Sequence, residues 1–301
     1  MLERILVPLD GSATAEAVLK HVRSLLLVKD ADVQLLHVVP VLPAFEGSWN
    51  EAPQALSALQ DKGEAYVDDL RKRLESRGAR ARGVVRVGFP AETILDFAER
   101  ERSTLIVMST HGRTGLARWA LGSVAEKILR ASPAPVLAVR SFARGPAGES
   151  APTAGENLPF KKLLVCVDDS DLSLEIVPSA VELARAFGAH VSILNVLEDH
   201  LAYGPPVPQM TRAFALFRDA GVKAEPILRK GDPASEILDA AAELGMDWIA
   251  LTTHGRSGIK RWALGSVAER ILRASTTPLL VVRSGRAAAA SPVPLHEEVA
   301  P

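Results

Sequence analysis

The chain has 301 residues, 48% of them hydrophobic and 24% charged, a balance that fits about two globular domains. Lys and Arg number 35 and Asp and Glu 36, for a net charge of −1, which argues against bulk electrostatic binding to nucleic acid or an anionic membrane. The single cysteine, Cys166, excludes an intramolecular disulfide. The lack of a leader pattern, or of an apolar run near the roughly 18 residues of a membrane helix, leads us to expect a reducing, cytoplasmic setting.

A short apolar run, ILVPL, ends at Asp10, and Ala15, Val18, Leu19 and Val22 then recur at helical spacing. VQLLHVV reads as a second strand. ALQDKGEAYVDDLRKRLESRG reads as a long helix closed by Gly78. VVRVG is a strand, PAETILDFAERE a helix begun by Pro90, STLIVMST a strand, SVAEKILRAS a helix and APVLAVR a last strand. Strands alternating with helices predict βαβ units, and continuous apolar runs predict a parallel sheet covered on both faces.

The series then repeats. Residues 109–141 align with 252–284 at an offset of 143, with 24 of 33 positions identical. VGFPAETILDFA aligns with KGDPASEILDAA at the same offset, whereas RILVPLDGS and LLHVVP align with KLLVCVDDS and ILNVLE at an offset of 158. The second copy is therefore 15 residues shorter, and the deletion falls between about Pro40 and Val87, where a lid over a ligand is expected. The reading is two domains, 1–141 and 160–284. A Gly-, Pro- and Ala-rich linker at 142–159 joins them, and a disordered tail follows at 285–301.

The most strongly repeated stretch is HGRTGLARWALGSVAEKIL, echoed as HGRSGIKRWALGSVAERIL. It follows a strand, at the carboxyl end where open α/β sheets bind ligands. Gly112 and Gly115 permit tight loop geometry, and Gly122-Ser123 opens a helix whose free N–H groups form an anion site. An equally simple reading is a capping box, Ser123 with Glu126. His111 and His254 are either loop histidines satisfied by backbone or phosphate contacts. Arg113 and Arg256 either clamp phosphate or lie in solvent. A Walker A loop and a GxGxxG fingerprint are both missing, and the histidines form no intrinsic metal set.

These residues resemble the universal stress protein family over nearly all of both copies. Its motif, G-x2-G-x9-G-[ST], matches Gly112, Gly122 and Ser123 in the first copy and Gly255, Gly265 and Ser266 in the second. Ser109 and Thr252 replace the first glycine. The resemblance implies two tandem doubly wound α/β domains, each a mainly parallel five-stranded sheet with helices on both faces. It also implies ATP as ligand, with Mg²⁺ arriving only with the nucleotide. Asp10 and Asp168, with Val38 and Val196, match the adenosine pocket. Pro8, Met108 and Ser109 belong to the same strand ends, and Val124 and Val267 to the helix starts. The family pairs through its final strand, which predicts a pseudo-dimer within the chain and leaves a homodimer of chains open.

Three functions compete: an ATP-binding stress or signalling protein with at most slow ATP hydrolysis, a nucleotide-free interaction module, and an enzyme on another substrate. Retained Asp10, Gly112, Gly122 and Ser123 favour the first, and the lack of a nucleophile–base pair disfavours the third. Asp169 in place of Gly11 adds charge beside Asp168, so the first copy is expected to bind more tightly.

Overall fold

The computed structural model describes residues 1–28, 30–41, 52–110, 121–140, 160–197, 208–254 and 264–285. The expected linker, the expected tail beyond Gly285, and His111, Gly112, Arg113, Gly115, Gly255 and Arg256 lie outside them.

The first half runs β1 (Arg4–Leu9), α1 (Ala13–Glu16), α2 (Leu19–Leu26), β2 (Asp32–Pro40), α3 (Ala52–Glu75), β3 (Arg80–Gly88), α4 (Pro90–Arg100), β4 (Leu105–Ser109), α5 (Ser123–Ala131) and β5 (Val136–Val139). The second runs β6 (Lys162–Cys166), a 3-10 helix (Asp171–Ile176), α6 (Val177–Phe187), β7 (His190–Leu197), α7 (Pro208–Asp219), β8 (Ala224–Lys230), α8 (Pro233–Glu243), β9 (Trp248–Thr252), α9 (Ser266–Ala274) and β10 (Leu279–Val282). The expected helix over Ala15–Val22 is divided: i→i+3 bonds from Val18 to Ala15 and from His21 to Val18 tighten the junction of α1 and α2. Gly78, at φ 84°, closes α3 as its left-handed conformation requires.

All ten strands form one sheet, ordered β3-β2-β1-β4-β5-β10-β9-β6-β7-β8. Pairing is parallel within each half. At the centre β5 and β10 pair antiparallel, Leu137 opposite Leu280. Alternation along β1 sends Val7 and Leu9 to one face with α2 and α3, and Leu6 to the other with α4 and α5. Each sheet face is thus buried under helices, which is why the strands read as continuous apolar runs.

The seam is nearly two-fold. The Arg140 guanidinium donates to the Arg273 carbonyl at the end of α9. Arg283 donates to the Ala131 carbonyl at the end of α5, at 3.3 Å. Cations at helix carboxyl ends are favoured by the dipole. Phe160 packs on Trp248 and Phe187 with ring centroids 4.4 and 4.7 Å away, and His21 of α2 reaches the same Trp248 at 6.3 Å. One core therefore spans both halves.

Most of the 15-residue deletion is taken from a helix: α3 has 24 residues and α7 has 12. The core contacts of α3, Leu70 and Leu74, lie in the layer with α2, on the face away from α4 and α5.

Two glycines fix where α5 and α9 begin. The Gly122 amide donates to the Thr110 carbonyl at 2.9 Å, and Gly265 to Thr253 at 2.8 Å. A Cβ on Gly122 would meet the Thr110 oxygen at 3.1 Å, and one on Gly265 the Thr253 oxygen at 2.8 Å. Their φ values, −64° and −61°, are ordinary, so space rather than backbone conformation demands glycine. Gly265→Ala should lower stability by about 1–3 kcal/mol in urea unfolding, and Gly122→Ala by less; equal or reversed losses would contradict the close approach.

His21 is 4% exposed, and its Nδ1 has no partner. Burial, with a smaller contribution from Lys20, pushes its pKa down to about 3. The unfolded imidazole titrates near 6.5, so protons favour the unfolded chain. The neutral site's contribution is present above about pH 6.5 and is lost as pH falls towards 3. His21→Leu should gain on the natural protein by about 1.4 kcal/mol per pH unit between pH 6 and 4; parallel stability curves would refute this.

Candidate functional site

In each half the chain leaves β1 or β6 towards one edge and returns through β4 or β9 on the other side, so the carboxyl ends of these strands flank a switch point. A cavity opens there in both halves, of about 280 Å³ in the first and about 230 Å³ in the second. Pro8 and Asp10 enter the first cavity from β1, Val38 from β2, Met108 and Ser109 from β4, and Gly122, Ser123 and Val124 from the start of α5. Asp168, Val196, Thr252, Gly265, Ser266 and Val267 line the second at matching places. His254 lies outside that lining. Its Nδ1 meets the Thr253 hydroxyl at 3.0 Å and its amide donates to Ser284 at 3.1 Å, so the adjoining backbone ties it towards the end of β10.

The capping-box reading of Ser123 does not hold. Gly122 occupies the N-cap, with ψ 142°, and Ser123 is already the first helical residue. Among the described residues no side chain caps α5, and the same is true of Gly265 and α9. The physical reason is the bond from Gly122 to Thr110, which brings the chain into the helix one residue earlier than a Ser123 cap requires. The first-turn amides, which no helix satisfies internally, therefore face the cavity without a capping side chain.

Asp10 is held rather than free to swing. One carboxylate oxygen accepts from the Ser12 amide at 3.0 Å and the Ser12 hydroxyl at 2.6 Å, while Ser12 in turn accepts from Ala15 at 3.1 Å and caps α1. Asp168 accepts from Ser170 in the same way, at 2.9 and 2.6 Å, but Ser170 caps nothing and a 3-10 turn follows. Two residues missed by sequence reasoning fix the strand ends beneath these acids. His37 Nδ1 bonds the Leu9 carbonyl at 2.9 Å, and Asn195 donates to the Val167 carbonyl at 2.9 Å. They occupy matching positions in β2 and β7, but their residue types differ, which hid the shared role.

The rest of the first cavity wall is apolar: Leu36, Pro40, Pro90, Ile94 and Ala125. Pro233 and Ile237 repeat Pro90 and Ile94 in the second. The repeated PAETI and PASEI stretches were the available signal for them. Cys166 stands where Pro8 does, buried in the second cavity wall, and burial raises its thiol well above the usual range. Among the described lining residues of the first cavity, Asp10 is the only charged side chain. Among all described residues, no group of three or more His, Cys, Asp or Glu is arranged to hold a metal, and no helix is long and apolar enough to cross a membrane.

Such a site can take a flat or apolar group against its wall, with hydrogen-bonding groups at Asp10 and an anionic end over the start of α5. The universal stress protein family model matches residues 1–140 and 159–283. Universal stress protein MJ0531 of Methanocaldococcus jannaschii is 36% identical over 145 residues, covering 46% of this chain and 83% of that protein. A universal stress protein of Mycolicibacterium smegmatis is 26% identical over 302 residues, 93% of this chain and 96% of that one. The crystal structure of a universal stress protein from Archaeoglobus fulgidus shares the fold with a TM-score of 0.72 at 20% identity, covering 94% of this chain and 97% of that one. With its family model matched twice and a relative aligned end to end, this chain belongs to the universal stress protein family.

Proposed function

We propose that this chain is an ATP-binding stress-response or signalling protein whose stronger site is the first-half cavity. The observation that carries the reading is a convergence. An apolar wall, a fixed carboxylate at Asp10 and the uncapped start of α5 meet at one strand switch point. The adenosine end fits against Val38, Ile94 and Met108, where Asp10 accepts from sugar or base donors. The phosphates lie over Ser123 and Val124, whose amides and the serine hydroxyl donate to oxygen. Mg²⁺ comes with the nucleotide and offsets its charge.

Among the described lining residues no nucleophile and base are paired, and slow ATP hydrolysis by positioning is the activity this reading allows. In the second half Asp169 follows Asp168 where Gly11 follows Asp10. Added negative charge at the ligand end weakens a polyanion's binding there.

Glycine substitutions test this poorly, because they disturb the fold. Ser123→Glu is better: an acid in the first turn favours the helix but repels phosphate. In calorimetric titration with ATP and Mg²⁺, Ser123→Glu should lose at least about tenfold in affinity with its melting temperature kept or raised. Unchanged ATP binding would remove α5 from the site. No ATP binding by the natural protein would leave the nucleotide-free interaction module as the reading.

The asymmetry has its own test. Ser266→Glu should remove only the weaker phase of the titration. Equal losses from Ser123→Glu and Ser266→Glu would show two equivalent sites.

A further inference from the structure

α4 and α8 begin alike and are finished differently. Phe89 is the N-cap of α4, with φ −80° and ψ 119°; Asp232 is the N-cap of α8, with φ −73° and ψ 120°. Asp232 does what that position asks. Its carboxylate accepts from the Ser235 amide at 3.0 Å and from both guanidinium nitrogens of Arg270, on α9, at 2.7 Å. That pair spans α8 and α9 beside the second cavity, and the arginine holds the Asp232 carboxyl well below the usual carboxylate range.

Phe89 does none of this. It leaves α4 without a side-chain cap and is 65% exposed, the most exposed of the large hydrophobic side chains among the described residues. The matching bridge is displaced within the first turn, where Lys127 of α5 reaches Glu92 at 3.1 Å. Neither the helix nor the core gains from an aromatic ring here. A residue that breaks a local rule without a structural return marks function.

Its place supplies the reason. Phe89 adjoins Pro90, which lines the first cavity, and Gly88, whose carbonyl accepts from Val41 at 3.3 Å beside the lining residue Pro40. Val41 is 47% exposed. Phe89 and Val41 are thus exposed apolar side chains next in the chain to Pro90 and Pro40 of the cavity lining.

Resting on the nucleotide reading above, we propose that Phe89 is a further nucleotide-binding residue of the first site, its ring covering the nucleobase of the bound nucleotide at the cavity mouth. The second half carries the Asp232–Arg270 pair at the matching place and has no such ring. Base–aromatic stacking tolerates any base and acts on the planar end alone. The phosphate end is left to α5.

The test is calorimetric titration of the full chain with ATP and with inorganic tripolyphosphate. Phe89→Ala should weaken ATP binding about tenfold or more while leaving tripolyphosphate binding unchanged, and Phe89→Trp should restore ATP binding. Phe89→Asp, which supplies the missing cap, should raise the melting temperature and still lose ATP affinity, separating the binding role from a structural one. ATP binding by Phe89→Ala equal to that of the natural protein overturns the inference alone. Equal losses for ATP and tripolyphosphate overturn it too, because the ring would then not be acting on the base. Absence of ATP binding by the natural protein overturns the nucleotide reading and this inference with it.

Discussion

The start of α5 lies where it does because one amide, that of Gly122, reaches back to the Thr110 carbonyl at 2.9 Å. The bond ties the end of β4 to the first turn of α5 across the intervening residues 111–121. It leaves little room for a side chain at the N-cap, and among the described residues no side chain caps the first-turn amides at the cavity. Gly265 and Thr253 repeat the arrangement at 2.8 Å, with less room still. A protein that needed only a turn could use many residues here. One that needs the helix to begin hard against the strand end needs glycine.

The sheet then sets the two helix starts in a common frame. Pairing of β5 with β10 removes two edges that the separate halves would leave open, and the halves share one core through Trp248, Phe160 and His21. Arg140 and Arg283 each close the end of the other half's helix. Joined in this way, the two cavities differ in local residues, among them Gly11 against Asp169, His37 against Asn195 and Phe89 against Asp232. Duplication kept the glycine geometry and let the rims diverge. Beside the first cavity stands an exposed Phe89, and at the matching place beside the second Asp232 pairs with Arg270.

Much of this was legible in the sequence, because the constraints involved are local or repeated. Apolar runs bounded by turn residues gave the strands, a fixed offset gave the duplication, and strand-end position brought Asp10, Met108, Gly122 and Ser123 to one cavity. What escaped depends on contacts across the fold. Ser123 and Glu126 have capping-box spacing, but a carbonyl twelve residues upstream of Glu126's own N-cap partner, that of Thr110, decides where the helix starts. A length difference does not say which element is shortened; most of this one comes out of α3. His37 and Asn195 perform one task with different chemistry, and the exposure of Phe89 is set by the folded chain around it.

The most direct measurement is an amide-resolved nuclear magnetic resonance titration of the isotopically labelled chain with ATP and Mg²⁺. The account predicts saturable shifts of the Ser123, Val124 and Ala125 amides, together with Asp10 and Val38, at lower nucleotide concentration than those of Ser266, Val267 and Ala268. Shifts confined to other surfaces, or no shifts at α5 under conditions where the protein is folded, would contradict it.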